Sequence, residues 1–239
     1  MTITERRVEP EVLDSLDPQD PRAVRSRRDL RRVHRAMRSL PILKRAIAGL
    51  ALEAPPRRIL ELGAGDGSLM LRVARSFGSR WTNVELTLLD QADVVDAETR
   101  EEYRRLGWSI TFQCTDVFAW ASEPRGIPYD LCIANLFLHH FSDVSLAHLL
   151  EAVANRTRAF VACEPRRDRF SRWSSRCVGL IGGNSVTRED AVKSVDAGFN
   201  GRELSDCWPA ADGAWAVKED RAFPFTHCFV AVHERASAS

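Results

Sequence analysis

The stretch from Arg58 to Ser68, RILELGAGDGS, constrains the fold of this chain more than any other. An apolar strand carrying Glu61 runs into glycines at three alternate positions, Gly63, Gly65 and Gly67, and a helix pattern follows from Leu69 to Arg75. Glycine lacks a Cβ, so such a loop takes positive φ and lets a ligand lie against bare backbone. Dinucleotide sites use the same device, with Gly-x-Gly-x-x-Gly spacing and a pyrophosphate on the helix N-terminus. Here the spacing is Gly-x-Gly-x-Gly, and Asp66 stands where a pyrophosphate would lie. A carboxylate there repels phosphate and suits a cationic ligand.

The rest of the chain sets this unit in an alternating pattern. Strands are predicted over Arg58–Leu62, Val84–Asp90, Ser109–Thr115, Tyr129–Asn135 and Ala159–Cys163, with helical segments between them. Two late strands, Trp215–Glu219 and Thr226–His233, bring the number to seven. Alternating β and α predicts a Rossmann-like, mostly parallel sheet with helices on both faces. Ser142 is placed to cap a helix over Asp143–Arg156. Ahead of this domain, residues 1–20 read as a loose, acidic arm. Pro21–Ser39 reads as a helix with Val24, Leu30, Val33 and Met37 on one face, and a second helix is expected to open at Pro41. Pro55 and Pro56 mark the boundary, which gives an arm and helical lid over 1–54 and a main domain over 55–239. Within the main domain, 168–201 reads as an insertion of two helical stretches broken at Gly182, Gly183 and Asn184.

Taken in order, these motifs resemble the class I S-adenosylmethionine-dependent methyltransferases over residues 57 to 235. Glu61 to Gly67 matches that family's first motif, and the ligand it implies, S-adenosylmethionine, carries an ammonium and a sulfonium and no phosphate. The resemblance implies that Glu61 reaches the methionine ammonium and that Asp90 accepts from both ribose hydroxyls. It also implies that Asp116 and the Val117 amide read the adenine. The segment Asn135 to Phe141, NLFLHHF, resembles the motif after strand four in bacterial small-molecule enzymes, including those of quinone and polyketide pathways. Glu61, Asp90, Asp116, Asn135 and Glu164 all fall at strand ends, where ligands of such sheets bind.

His139 and His140 are the candidate catalytic residues. A phenol of pKa about 10 must lose its proton before methyl transfer, and an imidazole near pKa 6.5 is suited to take it. His139, nearer the strand end, is the preferred base, with structural packing as the competing reading. Phe137, Phe141, Phe170 and Trp173 are candidates for an aromatic acceptor wall, and Arg166 for binding a carboxylate or phenolate. No metal is expected: strand four ends in Asn135 rather than an acid, and His139, His140 and Cys163 lack zinc-ligand spacing.

The formal net charge of +1 sets up no global field for nucleic acid or membrane. No apolar run has the length of a membrane span, no signal peptide is evident, and the six cysteines include no Cys-x-x-Cys pair, so a cytoplasmic protein is expected. The expected activity is methyl transfer to a small phenolic, quinoid or polyketide-like acceptor, at oxygen rather than carbon. Two alternatives stay open. The basic run from Arg22 to Arg45 admits an RNA methyltransferase, although its apolar stripe also fits a docked lid with a solvated face. The other is a catalytically silent member that binds the cofactor and serves a partner enzyme.

Overall fold

Ile59 and Leu60 are neighbours on one strand and point to opposite faces of the sheet, so each feeds a different core. The computed structural model describes residues 5–17, 19–50, 52, 54–209 and 214–234. The N-terminal helices are α1 (Val12–Ser15), α2 (Pro21–Ala36) and α3 (Ser39–Ala48). The sheet unit then runs β1 (Arg58–Leu62), α4 (Ser68–Phe77), β2 (Glu85–Asp90), α5 (Ala97–Arg105), β3 (Ser109–Cys114), α6 (Val117–Ser122), β4 (Leu131–Asn135), α7 (Asp143–Ala154) and β5 (Ala159–Pro165). The insertion holds α8 (Arg169–Ser175) and α9 (Ser185–Asp196), and α10 (Glu203–Cys207), β6 (Trp215–Ala222) and β7 (Thr226–His233) close the chain.

The seven strands lie in the order β3-β2-β1-β4-β5-β7-β6, parallel except for β7, which is antiparallel to both its neighbours. β4 and β5 are buried along their whole length, as strands covered on both faces must be. On one face Ile59, Ile133 and Val161 pack with Leu43 and Ile47 of α3 and Met70 and Val73 of α4. On the other, Leu60, Cys132 and Phe160 pack with Trp120 of α6 and Leu146, Leu149 and Leu150 of α7. Strand order reverses between β1 and β4, and the carboxyl ends of that pair open the crevice where such sheets bind ligands.

Several sequence expectations shift at this level. The arm is not loose: over residues 5–17 it is a strap tied across the carboxyl edge of the sheet, while residues 1–4 and 18 lie outside the described residues. Arg6 donates to the carbonyls of Ala197 and Phe141, each at 2.8 Å, and pairs with Asp143. Asp190 of α9 accepts from the amides of Val12 and Leu13 at the start of α1. The fully buried face of α2 is polar rather than the expected apolar stripe. Its Ser26 hydroxyl meets Thr187 at 2.9 Å, and Asp29 accepts from the Asn184 amide. Leu30 and Val33 line a cavity instead of packing in the core. α3 opens at Ser39, after Arg38 in a left-handed conformation, rather than at Pro41. α5 begins only at Ala97 because Asp96, not Asp90, caps it.

Candidate functional site

β1 ends in a loop that only glycine sustains. Gly63, Gly65 and Gly67 all have positive φ, and a Cβ on Gly63 would sit 2.3 Å from Cδ2 of Phe137. Gly65 differs: a Cβ there would meet nothing within 4 Å, so its bare face is open to a ligand. The Asp90 carboxylate fixes the loop by accepting from the Gly65 amide at 2.8 Å and from Ala92 at 3.2 Å. Asp90 does not cap the following helix, because Asp96 fills that role.

The loop forms one wall of a cavity of about 380 Å³ that runs beneath α2 and the strap. Its size is that of a small-molecule site. Two buried acceptors sit in its lining without partners: Oε2 of Glu61 on β1 and Oδ1 of Asn135 on β4. Burial, together with the charges of Asp66 and Asp90, pushes the Glu61 carboxyl well above the ordinary glutamate range. A buried carboxylate oxygen without a protein partner is suited to meet a cation. The donor set fits the ammonium end of S-adenosylmethionine, with Gly65 leaving room beside it. Asp66 is held well ionised despite burial by Ser68 and by Arg31 of α2, whose guanidinium lies 2.8 Å away. Arg22 and Arg32 of the basic run are likewise paired, with Asp20 and Asp29.

Opposite the loop stand His139 and His140, on a short 3-10 turn directly after β4. Glu164, fully buried at the end of β5, accepts from the amides of Phe137 and Leu138 and lies 2.8 Å from Nδ1 of His139. Glu11 of the strap reaches Nε2 of the same ring at 3.3 Å and accepts from Ser194. Burial alone would lower the pKa of His139, but Glu11 and Glu164 together outweigh it and raise the value to about 9. The preferred base of the sequence reading is thus held between two carboxylates, one at each ring nitrogen. His140 is more open and pairs through Nδ1 with Asp14 at 3.2 Å.

The remaining expected site residues separate into two groups. Asp90, Asp116 and Val117 lie at the β2 and β3 strand ends, outside the closed cavity. Asp116 caps α6 through Oδ1 and accepts from Gln91 through Oδ2, and Val117 is core. The aromatic wall does not form. Phe137 packs beneath Gly63, and Phe141 packs edge-on against Phe118 and Phe137. Phe170 and Trp173 stack on each other, 51% and 64% exposed, because α8 turns its small residues inward. Ser171, Ser174 and Ser175 line the cavity in their place. Arg166 is tied to Asp168. Sequence reasoning missed Glu11, Asp190, Ser194 and His34, all of which line the cavity. His34 faces Asn135 at 3.5 Å, and enclosure lowers its pKa to about 4, leaving it neutral. No local signal marks these residues, since each acts across the fold.

Residues 59–159 match the sequence model of the family described as "Methyltransferase domain". Among solved structures the chain is similar to the plantazolicin methyltransferase BamL in complex with a triazolic desmethylPZN analog and SAH. That likeness has 14% identity, covers 92% of each chain and has a TM-score of 0.65. It is similar to the plantazolicin methyltransferase BpumL in complex with SAH at 14% identity, 90% and 91% coverage and TM-score 0.62. The magnesium protoporphyrin IX methyltransferase ChlM of Synechocystis PCC 6803, with bound SAM, follows at 13% identity, 93% and 88% coverage and TM-score 0.50. A search of curated proteins finds no match. Among the described residues no helix is long and apolar enough to cross a membrane. The glycine loop and the strand order with its antiparallel β7 give the chain the fold of the class I methyltransferases, and residues 59–159 within it match a methyltransferase domain.

Proposed function

We propose that this methyltransferase acts on a small phenolic, quinoid or polyketide-like acceptor, at oxygen rather than carbon, with the acceptor seated between Glu61 and the His139–His140 pair. The observation that carries the reading is that one cavity is lined both by an unpaired carboxylate suited to a cationic donor and by a pair of imidazoles. When bound, S-adenosylmethionine supplies a methyl group activated by its sulfonium. Glu61 and Asn135 hold its ammonium end, and Asp90, Asp116 and the Val117 amide take the ribose and adenine outside the closed cavity. The strap and α2 exclude water. Alignment of this kind is worth about 7–11 kcal/mol of the barrier, so the residues need only orient the acceptor and handle one proton.

The serines of α8 and the apolar side chains of Ile181, Val195 and Leu30 bound the acceptor space, which favours a flat ring with few polar edges. The structural neighbours named as acting on plantazolicin and on magnesium protoporphyrin IX also handle small molecules, and support the class of acceptor without fixing it. The test is turnover of a phenolic panel with isotopically labelled cofactor, followed by hydriodic acid treatment of the product. Loss of the label as methyl iodide indicates an ether, and retention indicates carbon methylation. Absence of S-adenosylmethionine binding by calorimetry would remove the reading altogether.

A further inference from the structure

The contact between Glu11 and His139 is the wrong length for what it first resembles. Glu164 accepts backbone amides through both oxygens, from Phe137 and Leu138 on one and from His139 on the other, so it is an acceptor and Nδ1 of His139 donates to it. That bond is 2.8 Å, the length of a charge-assisted hydrogen bond, for which about 2.7–2.9 Å is usual. On the other side of the ring, Nε2 and Oε1 of Glu11 stand 3.3 Å apart. Tetrahedral zinc bonds of about 2.0–2.1 Å hold neighbouring ligand atoms roughly 3.3–3.4 Å apart. His140 follows directly in the chain, and its ring centroid is 4.3 Å from that of His139. Ligand atoms of Glu11, His139 and His140 all lie within 4.8 Å of one another.

We infer that Glu11, His139 and His140 form a site for one divalent transition cation of the zinc type, at the acceptor end of the cavity. The carboxylate–histidine arrangement of Glu164 and His139 is the one that orients a metal-binding imidazole, with Asp14 doing the same for His140. Two histidines and a carboxylate leave a coordination position open, and all three residues line the cavity. A cation there would lower the pKa of a bound acceptor hydroxyl, so that its proton would pass to solvent water before methyl transfer. The sequence offered only two adjacent histidines and predicted no metal. The third ligand arrives from 128 residues away on the strap.

The inference deepens the methyl-transfer reading of the same cavity and rests on it for its role, but its test does not. Full-length protein, freed of any histidine tag and stripped with a chelator, is titrated with zinc chloride by calorimetry and with cobalt chloride by visible absorption. One ion per chain is expected, with the intense d–d bands of four- or five-coordinate cobalt. Glu11→Ala and His140→Ala, which leave the buried Glu164–His139 pair in place, should each weaken binding by roughly tenfold or more. Exposed His148→Ala should bind as the parent does. No stoichiometric binding by the parent, or equal binding by Glu11→Ala and His140→Ala, overturns the site. S-adenosylmethionine binding, measured on the same stripped samples, stands or falls separately: its presence without metal binding sinks only this inference, and its absence sinks the methyl-transfer reading.

Discussion

The glycine-loop end and the histidine end of the cavity, proposed above to take donor and acceptor, are assembled on different scales of the chain. Glu61, the glycine loop and Asp90 fall between residues 61 and 90, joined by the parallel register of β1 and β2 and by one hydrogen bond from Gly65 to Asp90. The acceptor end joins Glu11 to His139 across 128 residues, Asp29 to Asn184 across 155 and Ser26 to Thr187 across 161. Strand-end geometry therefore supports the first, and docking of separate segments the second. Damage to the donor end should cost cofactor affinity and stability together. Damage to the acceptor end should leave cofactor affinity intact.

The largest effect is expected at Gly63. A Cβ there would collide with Phe137 and would require a left-handed alanine, a combination worth about 2–5 kcal/mol. Gly63→Ala should lower the melting temperature and abolish cofactor binding in calorimetry. Gly65→Ala makes the comparison sharper. Its new methyl meets nothing, so stability should fall by only about 1–2 kcal/mol from the positive φ. Any further loss of affinity in that variant measures the closeness of the ligand. Equal behaviour of the two variants would break the picture of one glycine facing the core and the other facing the cavity.

Glu61 separates stability from binding. Its folded pKa is raised, and an acid of that kind contributes stability in full below its unfolded pKa and loses it as pH rises through the folded value. The melting temperature of the apoprotein should therefore decline above the ordinary glutamate range, and Glu61→Gln should remove that decline. Cofactor affinity should run the opposite way in the parent, rising over the same span because the cation binds the ionised form. Glu61→Gln should weaken binding by about 1.5–3 kcal/mol and flatten its pH profile. A parent whose affinity does not vary with pH would show that the carboxylate meets no cation. Asp90→Ala should cost about 1–3 kcal/mol of cofactor binding, since the ribose hydroxyls lose a charged acceptor and the Gly65 amide loses its partner.

This contrast also explains what was legible in the sequence. Strand periodicity and the glycine spacing located all seven strands, and they located the positions of Glu61, the glycine loop and Asp90 because each lies next to the strand that places it. Ser142 was readable as a cap because capping is a contact over three residues. The acceptor end was not readable in the same way. Phe170 and Trp173 carried an aromatic signal yet face outward, because the orientation of α8 is set by Ser171 and Ser175 packing inward. His139 stood out by its position after β4, but its surroundings depend on Glu11, whose segment had only the composition of a loose arm. The polar face of α2 was hidden for the same reason: Ser26 and Asp29 are buried only because Thr187 and Asn184 come to meet them.

The smallest effect tests that docking directly. Ser26→Ala removes one hydroxyl from the buried seam between α2 and α9, where among the described residues it meets Thr187 at 2.9 Å. Thr187 keeps a second partner, Oδ1 of Asn184 at 2.9 Å, so no donor is left stranded. The cost should then be that of one neutral hydrogen bond, about 0.5–1.5 kcal/mol, rather than the larger penalty of an unsatisfied buried group. A melting-temperature decrease of a few degrees follows for a chain of this size. Both residues line the cavity on the α2–α9 side, so KM for the acceptor should rise while cofactor affinity holds. If cofactor affinity fell as much as acceptor affinity, α2 would be part of the donor end as well, and the two ends of the cavity would have to be treated as one cooperative unit.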